Sequence, residues 1–343
     1  MACCAPWCPP HRMPGSPRSP ASARCAGADV YTCGPWCQGP ALGQALNILD
    51  AAALQAAGHN SADYLHWIAE ARKLAFADRE AFYGDPNHVD VPIAGLLDPV
   101  YGAARRAQVD PARAWPEMPP AGTPPGAAPR GTAPGAGAAW REGPPCDLPR
   151  DTSYICVVDR WGNTVSATPS DVSNDTPVVP GTGLCPSSRG SQSWTTPGHP
   201  SRLAPGKRPR LTPNPAMAVA PGRFVLPFGT PGGDVQTQAM LQTLLNVLLF
   251  GMDPQDAVEH PRIATYSFPD SFEPHAYHPG RLCIEARIAR ATGEALAARG
   301  HQVTWWPERI WRAGAVCAIH ADLGTGILTA GADPRRPGYA LGW

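Results

Sequence analysis

Proline sets the strongest limit on what this chain can fold into. The 343 residues include 43 prolines, and two tracts, residues 1–28 and 117–150, are rich in them. Proline fixes φ and lacks a backbone N–H, and neither tract shows the periodicity of a helix or strand. We predict that residues 1–28 are disordered or a spurious N-terminus, and that the Pro/Gly/Ala-rich residues 117–150 are a flexible linker. The parts expected to fold are residues 29–116 and 151–343.

Charge and hydropathy exclude several classes of function. Lys+Arg and Asp+Glu each number 28, so the formal net charge is zero and no electrostatic attraction to nucleic acid is expected. No stretch has the apolar length of a membrane span, and the N-terminus lacks the apolar core of a signal peptide. We therefore expect a cytoplasmic protein without nucleic-acid or membrane partners. A periplasmic or secreted protein is the alternative if a true N-terminus with a signal peptide is missing.

The 11 cysteines do not form a disulfide or metal-binding pattern. Their number is odd, and Cys33-x3-Cys37 has no second ligand pair at metal spacing. Cys156 and Cys317 lie in apolar strand-like runs, where a small buried residue is the simpler interpretation. We predict no metal and no cofactor.

Residues 29–116 carry the signals of helices. Leu42, Ala45, Leu46 and Leu49 recur at the spacing of one helical face. A second periodic segment follows Asn60-Ser61, which are good N-cap residue types, and ends near Tyr83-Gly84-Asp85-Pro86. This part is predicted to be helical.

Residues 151–343 are dense in short apolar runs. "SYICVV" with "TVSAT", and "AVCAIH" with "GILTAG", each flank turn-rich residues and predict two hairpins. "VQTQAMLQTLLNVLLFGM" predicts a buried helix, and "EARIARATGEALAARGH" an amphipathic one. Strands followed by helices and further strands indicate an α+β fold, with helices layered on antiparallel sheet.

Thr152 follows the long linker and comes directly before an apolar strand-like run. Threonine is common in strands, so one interpretation is that Thr152 only starts a strand. The other is a nucleophile placed at a cleavage site. The local sequence leaves both open.

Several motifs, in order along the chain, carry a resemblance to a known family. They include "DTSYICVVDRWGNTVSATPSD", "VVPGTGL", "LAPGKRPRLTPNPAM", "FGTPGGDVQTQ", "GMDPQDAVEHPR" and "GADPRRPGYALGW". Together they resemble the small subunit of the γ-glutamyltransferase (γ-glutamyltranspeptidase) family. The segment from "CQGPALGQ" to "FYGDP" is similar to the C-terminal part of that family's large subunit.

The resemblance implies a fold and a maturation step. The family belongs to the N-terminal-nucleophile hydrolases, with a four-layer αββα sandwich, and this chain would lack much of the large-subunit half. The precursor cuts itself before a threonine, which matches the Asp151–Thr152 bond here. We therefore expect residues 29–116 to be large-subunit-like, residues 151–343 to be the catalytic region, and the two cleaved halves to associate as a heterodimer.

The chemistry of the implied site is consistent with its residue types. A threonine hydroxyl needs a base, and cleavage would give Thr152 a free α-amine with a reference pKa of about 7.7–8.0. Gly232 and Gly233 match the pair whose backbone N–H groups form the family's oxyanion hole; an ordinary strand-to-helix turn is the alternative. Ser170 matches a hydroxyl that hydrogen-bonds the nucleophile, and Thr168 is a second hydroxyl nearby; either could be an outward-facing strand residue.

The substrate-binding positions depart from the family pattern. Gln192 falls where the family has an aspartate that holds the γ-glutamyl amine, and a neutral amide cannot neutralise an ammonium. Leu211-Thr212 replaces two carboxylate-binding serines. Arg189 has the planar fork that binds carboxylates, although a surface arginine is the alternative.

The predicted function is cleavage of γ-glutamyl (glutathione-type) or related acyl amides, with water or an amine as acceptor. The alternatives are an inactive truncated fragment and a cephalosporin- or glutaryl-acylase-like amidohydrolase.

Overall fold

The structure, a computed structural model, describes residues 20–128, 152–171 and 176–343. Asp151, the first residue of the predicted cleavage bond, lies outside the described residues. The helices of the described residues are α1 Gly39–Ile48, α2 Ala51–Ala57, α3 Ala62–Phe82, α4 Ile93–Leu96, α5 Pro99–Arg106, α6 Gln236–Phe250, α7 Pro254–Glu259 and α8 Arg290–Ala298. The strands are β1 Ala21–Cys25, β2 Ala28–Thr32, β3 Ile155–Val158, β4 Thr164–Ala167, β5 Ala216–Ala220, β6 Phe224–Gly229, β7 Ile263–Thr265, β8 Arg281–Glu285, β9 Gln302–Trp306, β10 Cys317–Asp322 and β11 Leu328–Ala332.

A six-stranded antiparallel sheet joins the two foldable parts of the chain. Its strand order is β1-β2-β5-β6-β10-β11. The pairing of β2 with β5, from Asp29 opposite Val219 to Thr32 opposite Ala216, connects strands that precede and follow the proline-rich tract. The two parts therefore build one shared core.

The first hairpin corrects the prediction that residues 1–28 have no structure. β1 and β2 pair from Ala21 opposite Thr32 to Cys25 opposite Ala28, so the prediction is wrong for the end of that range. Ala26 and Gly27 form the turn, with φ of 47° and 80°. Two positive φ values fit a tight hairpin turn, and alanine is a poor sequence signal for that conformation.

The helices cover one face of this sheet. Leu42, Ala45 and Leu46 are buried on α1, which confirms the predicted helical face for these three residues. Leu49 is also buried, but it lies just after the end of α1, at the break before α2. Residues of α1, α3 and α6 share a hydrophobic core with the strands. None of the helices in the described ranges combines the length and apolarity needed to cross a bilayer.

Local capping signals place α3 as predicted. The Ser61 hydroxyl accepts a hydrogen bond from the Tyr64 amide at 3.1 Å, and the helix ends at Phe82. The predicted helix within residues 285–301 begins later, at Arg290, because residues up to Glu285 form β8. β8 pairs antiparallel with β7 and parallel with β9 in a separate three-stranded sheet.

The hairpin of β3 and β4 lies on the other face of the large sheet, against β6 and β10. Cys156 and Cys317 are half-buried between these layers. Ile155, Val157 and Val165 point outward and are 54%, 46% and 54% exposed. The described layers thus run helix, sheet and hairpin, which is the predicted order for the first three layers of an αββα sandwich.

The predicted linker is packed over its first part. The Gly122 amide donates to Asp78 at 2.8 Å, and Arg105 donates to the Pro120 carbonyl at 3.1 Å. The backbone of Pro125 packs directly on Gly95, because a Cβ added to Gly95 would lie 2.0 Å from the Pro125 carbonyl oxygen. The prediction of flexibility is therefore wrong for residues 117–128, because buried polar side chains of α3 and α5 bind this backbone. The remainder, to Arg150, lies outside the described residues.

Candidate active site

Thr152 lies at the start of the β3–β4 hairpin, beside the chain that leaves β4. The Ser153 amide donates to the Pro169 carbonyl at 3.0 Å, so the pairing of the hairpin extends beyond the strands. Thr152 is 8% exposed, and its Oγ1 lies 2.6 Å from Ser170 Oγ. The hairpin register thus brings the two hydroxyls together.

Arg189 connects this hydroxyl pair to the predicted substrate-binding residues. It lies in a 3₁₀ turn, Ser188–Gln192, and is 8% exposed. Its guanidinium donates to Ser170 Oγ, and at 3.3 Å to both Gln192 Oε1 and Thr212 Oγ1. The interpretation of Arg189 as an ordinary surface arginine is therefore wrong.

The donor-only guanidinium fixes how the hydroxyls can share protons. Because Arg189 has no acceptor, Ser170 Oγ accepts from it and can direct its own proton toward Thr152 Oγ1. Such a bond stabilises negative charge as it develops on the threonine oxygen. The Thr152 proton then remains free to pass to a base.

Gly232 and Gly233 connect the end of β6 to α6. Their φ values are 130° and 56°, which L side chains rarely adopt, so glycine is required at both positions. Within the described residues, neither amide N–H donates a hydrogen bond to another group. Two adjacent donors at a tight turn are suited to bind an oxyanion.

Gln38 is a site residue that the sequence did not reveal. It is fully buried at the start of α1, and its Nε2 donates at 2.8 Å to both the Thr212 carbonyl and the Gly233 carbonyl. One side chain thus fixes the backbone of a substrate-binding candidate and of an oxyanion-hole candidate. No local signal marks Gln38, because these two partners lie 174 and 195 residues away in sequence.

A buried charge cluster supports Gln38 from behind. Arg79 donates to Gln38 Oε1 at 3.1 Å and pairs with Asp234 at 2.5 Å and with Glu80 at 2.8 Å. Burial alone would raise the pKa of Glu80, but Arg210 and Arg79 hold it well below its usual range. Burial also opposes ionisation of Asp234, yet Arg79 lowers its pKa. Both carboxylates are therefore charged, and Asp234 directly follows the glycine pair.

Tyr154 sets the position of the hairpin over the end of β6. A Cβ on Gly229 would lie 2.3 Å from Tyr154 Cε2, so the tyrosine ring rests directly on that glycine. The Tyr154 hydroxyl is hydrogen-bonded to Ser166 Oγ at 2.8 Å. Thr152 is two residues before this anchor, and Gly232 is three residues after Gly229.

Most of the predicted site residues lie together. Arg189 joins Thr152 and Ser170 to Gln192 and Thr212, and Gln38 connects Thr212 to the glycine pair. The Thr168 hydroxyl does not join this network, because its buried Oγ1 has no hydrogen-bond partner among the described residues. Asp151 lies outside those residues.

A cavity of about 300 Å³ opens beside Gly232. Aromatic side chains of Tyr266, Phe268 and Trp306 line it together with Arg281. Flat apolar surface and charged groups therefore meet in this cavity, between the glycine turn and strands β8 and β9.

One buried cluster has the spacing of a metal site. The ligand atoms of His66, Glu70 and His301 all lie within 4.8 Å of one another. Lys73 Nζ is 2.7 Å from Glu70 Oε1, so the carboxylate already faces a positive charge that would repel a cation. His66 Nδ1 and His301 Nε2 are hydrogen-bonded at 2.9 Å. The residues present fit an internal hydrogen-bonded network better than a metal centre.

Comparisons with known proteins agree with this architecture. The Acylase ACY 1 proenzyme of Pseudomonas sp. (strain SE83) is 32% identical over 306 residues, covering 89% of this chain and 48% of that protein. A solved structure described as LmbA2991HD is 40% identical with a TM-score of 0.80, covering 92% of this chain and 54% of that one. The cephalosporin acylase from Bacillus halodurans is 27% identical with a TM-score of 0.73, covering 95% and 53%.

The chain spans about half the length of the relatives it matches. The structural neighbours are N-terminal-nucleophile hydrolases, which confirms the predicted α+β fold class. The family described as Gamma-glutamyltranspeptidase matches residues 15–343. The chain therefore belongs to the γ-glutamyltranspeptidase family.

Proposed function

We propose that this chain carries the threonine nucleophile of a self-processing amide hydrolase that cleaves γ-glutamyl or related acyl amides. The observation that carries the proposal is the 2.6 Å contact between Thr152 Oγ1 and Ser170 Oγ, with Arg189 behind it. A threonine that only began a strand would not need a buried, cation-backed hydroxyl pair.

The first reaction is cleavage of the chain. Thr152 Oγ1 attacks the Asp151 carbonyl carbon, the peptide bond breaks as its nitrogen takes a proton, and water hydrolyses the resulting ester. The β2–β5 pairing crosses the cut, so the two pieces are expected to remain associated as a heterodimer.

The second reaction uses the amine that cleavage releases. With a reference pKa of about 7.7–8.0, the α-amine of Thr152 can take the hydroxyl proton near neutral pH. Oγ1 then attacks the substrate carbonyl, and the amide N–H groups of Gly232 and Gly233 stabilise the oxyanion. Each such donor contributes about 3–4 kcal/mol in comparable sites. Water or an amine then releases the acyl group from Thr152.

The charges around Thr152 favour one substrate class. Arg189 is cationic, while Gln192 and Thr212 are neutral, so these three side chains suit a carboxylate and cannot neutralise an α-ammonium. An acyl group that ends in a carboxylate but lacks the amine, such as glutaryl, fits this set better than γ-glutamyl. The resemblance to two acylases points the same way.

Intact mass and anilide hydrolysis test the proposal on the full chain. Wild type is expected to yield a fragment that begins at Thr152, and Thr152→Ala to remain uncut and to lose about 10³-fold or more in activity. Thr152→Ser keeps a hydroxyl and is expected to retain cleavage. Thr164→Ala, a hydroxyl of the same hairpin, is the matched control and is expected to behave as wild type.

Substrate preference is read from release of nitroaniline. Glutaryl anilide is expected to be hydrolysed faster than γ-glutamyl anilide, and Gln192→Asp to shift this ratio toward γ-glutamyl by about ten-fold, because it restores an ammonium partner. A wild-type chain that is never cut and hydrolyses neither anilide would favour the inactive fragment. Faster γ-glutamyl hydrolysis by wild type would contradict the acylase assignment.

A further inference from the structure

Cys33 and Cys37 are the two ends of a tight loop between β2 and α1. The Cys37 amide donates to the Gly34 carbonyl at 3.1 Å, which closes a turn between them. A Cβ on Gly39 would lie 2.4 Å from the Cys33 carbonyl oxygen, so the backbone returns onto itself just after the turn. The two cysteines therefore flank a compact turn of the backbone.

The two thiols differ in access and in acidity. They are hydrogen-bonded to each other; Cys33 is half-buried and Cys37 fully buried. The bond that Cys37 donates lowers the pKa of Cys33, whereas burial raises that of Cys37 well above its usual value. By contrast, burial raises the pKa of Cys25 to about 11 and that of Cys283 to about 12. Accessible, acidic thiols beside a second cysteine are typical of redox-active pairs.

We propose that Cys33 and Cys37 form a redox-active dithiol that low-molecular-weight disulfides oxidise to an intramolecular disulfide. Cys33 is the attacking thiol, because it is the one that reaches solvent. Cys37 resolves the mixed disulfide from inside the loop.

The reaction balances without any other reagent. The Cys33 thiolate attacks one sulfur of a disulfide RS–SR, and a thiolate RS⁻ leaves and takes up the Cys33 proton. The Cys37 sulfur then attacks Cys33 Sγ, the second RS⁻ leaves, and it takes the Cys37 proton. Two cysteine thiols are oxidised as one external disulfide is reduced to two thiols.

The pair lies one residue from the candidate active site. Cys37 forms a bridge with Leu211, and the Leu211 amide donates to the Trp36 carbonyl at 2.9 Å. The next residue is Gln38, which holds the carbonyls of Thr212 and Gly233. Any shift of Cys37 as the S–S bond forms is passed directly to Gln38. We infer, resting on the proposed function, that oxidation slows the amide hydrolase.

Peptide mapping tests the dithiol without relying on activity. The full chain is treated with glutathione disulfide, unfolded, alkylated and cut with chymotrypsin after Tyr31 and Trp36, which places Cys33 and Cys37 on different fragments. The expected result is that these fragments stay joined and carry a mass about 2 Da below the sum of the reduced pair, until dithiothreitol separates them. Cys185→Ser, which removes an exposed thiol in another loop, is the control and is expected to give the same joined fragments.

Three outcomes would overturn the dithiol: thiols that stay reduced, a glutathione adduct that persists on Cys33, or a disulfide from Cys33 to a cysteine other than Cys37.

The coupling between this disulfide and the active site is tested by the rate of anilide hydrolysis. Oxidised wild type is expected to turn over at least about ten-fold more slowly than reduced wild type, with recovery in dithiothreitol. Cys33→Ser is expected to show no response to the oxidant.

Equal rates for the oxidised and reduced forms of an active protein would overturn the coupling. If the reduced protein hydrolyses no anilide at all, the proposed function fails, whereas the peptide map still decides the dithiol.

Discussion

Two regions of the molecule are packed in opposite ways. On one side is the buried polar face of α3, formed by His66, Glu70, Lys73, Arg79 and Glu80, each at most 5% exposed. On the other is the β3–β4 hairpin, whose outer apolar residues are about half exposed. The first region buries charge, and the second exposes hydrocarbon.

The difference shows how a site can be rigid on one side and lightly held on the other. Arg79, which is paired with Asp234 and Glu80, reaches the glycine turn through Gln38, so the oxyanion-hole candidates have a fixed support. Thr152 is positioned instead by the hairpin register, by the Ser170 contact and by the Tyr154 ring on Gly229. We therefore expect mutations behind the glycines to cost stability, and mutations under the hairpin to cost activity.

The largest expected effect is on the α3 side. Arg79→Met removes the partner of Asp234 and of Glu80 and leaves two buried carboxylates less well paired, which is expected to lower the free energy of unfolding by about 3–5 kcal/mol. Urea denaturation measures it. Arg106→Met, which breaks the exposed pair with Asp50, is the control and is expected to cost about 0–1 kcal/mol. Similar costs for the two variants would contradict a rigid charged support.

The hairpin side is tested by overpacking its anchor. Gly229→Ala places a Cβ 2.3 Å from the Tyr154 ring, so the ring and Thr152 must shift. We expect activity or self-cleavage to fall by about 10²-fold, since a displacement near 1 Å has that effect on reacting groups. Gly338→Ala, whose Cβ would meet its nearest atom at 3.9 Å, is the control.

A second substitution distinguishes displacement of Thr152 from a general loss of folding in Gly229→Ala. Adding Tyr154→Leu to Gly229→Ala makes room for the new methyl group and is expected to restore part of the lost rate. A double variant as slow as the single one, with unchanged stability, would mean that Tyr154 does not position Thr152.

Sequence reasoning succeeded where the signal was local. Ser61 caps α3 as predicted, and the two runs on either side of a turn-rich segment, "SYICVV" and "TVSAT", form the predicted β3–β4 hairpin. It failed where partners are distant. β1 comes from residues that were predicted to be disordered, and β2 from the start of the part that was predicted to be helical. β2 pairs with β5, which lies almost two hundred residues later in the sequence.

The residues of the candidate site also fall into those that local sequence revealed and those that only the structure revealed. The motif resemblance identified Thr152, Ser170 and the glycine pair, because those residues stand in short recognisable strings. Gln38 and Arg79 escaped notice, since a buried polar residue is defined by what surrounds it in space. Glutamine at a helix start and arginine within a helix are otherwise unremarkable in sequence.

Acidification is expected to have a smaller effect on the free energy of unfolding, through two buried histidines, one on α3 and one packed against it. Burial, followed by Lys73, lowers the pKa of His301 from 6.5 to about 2, and burial lowers that of His66. An unfolded chain takes up these protons below pH 6.5 while the folded chain does not, so stability is present above that pH and falls as the pH drops. His301→Gln removes one such group and is expected to flatten the stability curve by up to about 1.4 kcal/mol per pH unit below 6.5. Parallel curves for wild type and variant would contradict burial of a neutral imidazole.

The smallest expected effect is on the outer face of the hairpin. Val157→Thr keeps the branched shape that favours strands and changes a side chain that is 46% exposed, so unfolding free energy is expected to change by about 0.5 kcal/mol or less. The matched variant Val30→Thr places a hydroxyl at a fully buried position of β2 and is expected to cost about 1–3 kcal/mol. Urea denaturation of both variants makes the comparison. A Val157→Thr cost equal to that of Val30→Thr would mean that another surface covers the hairpin in solution, and the contrast between the buried and the exposed region would disappear.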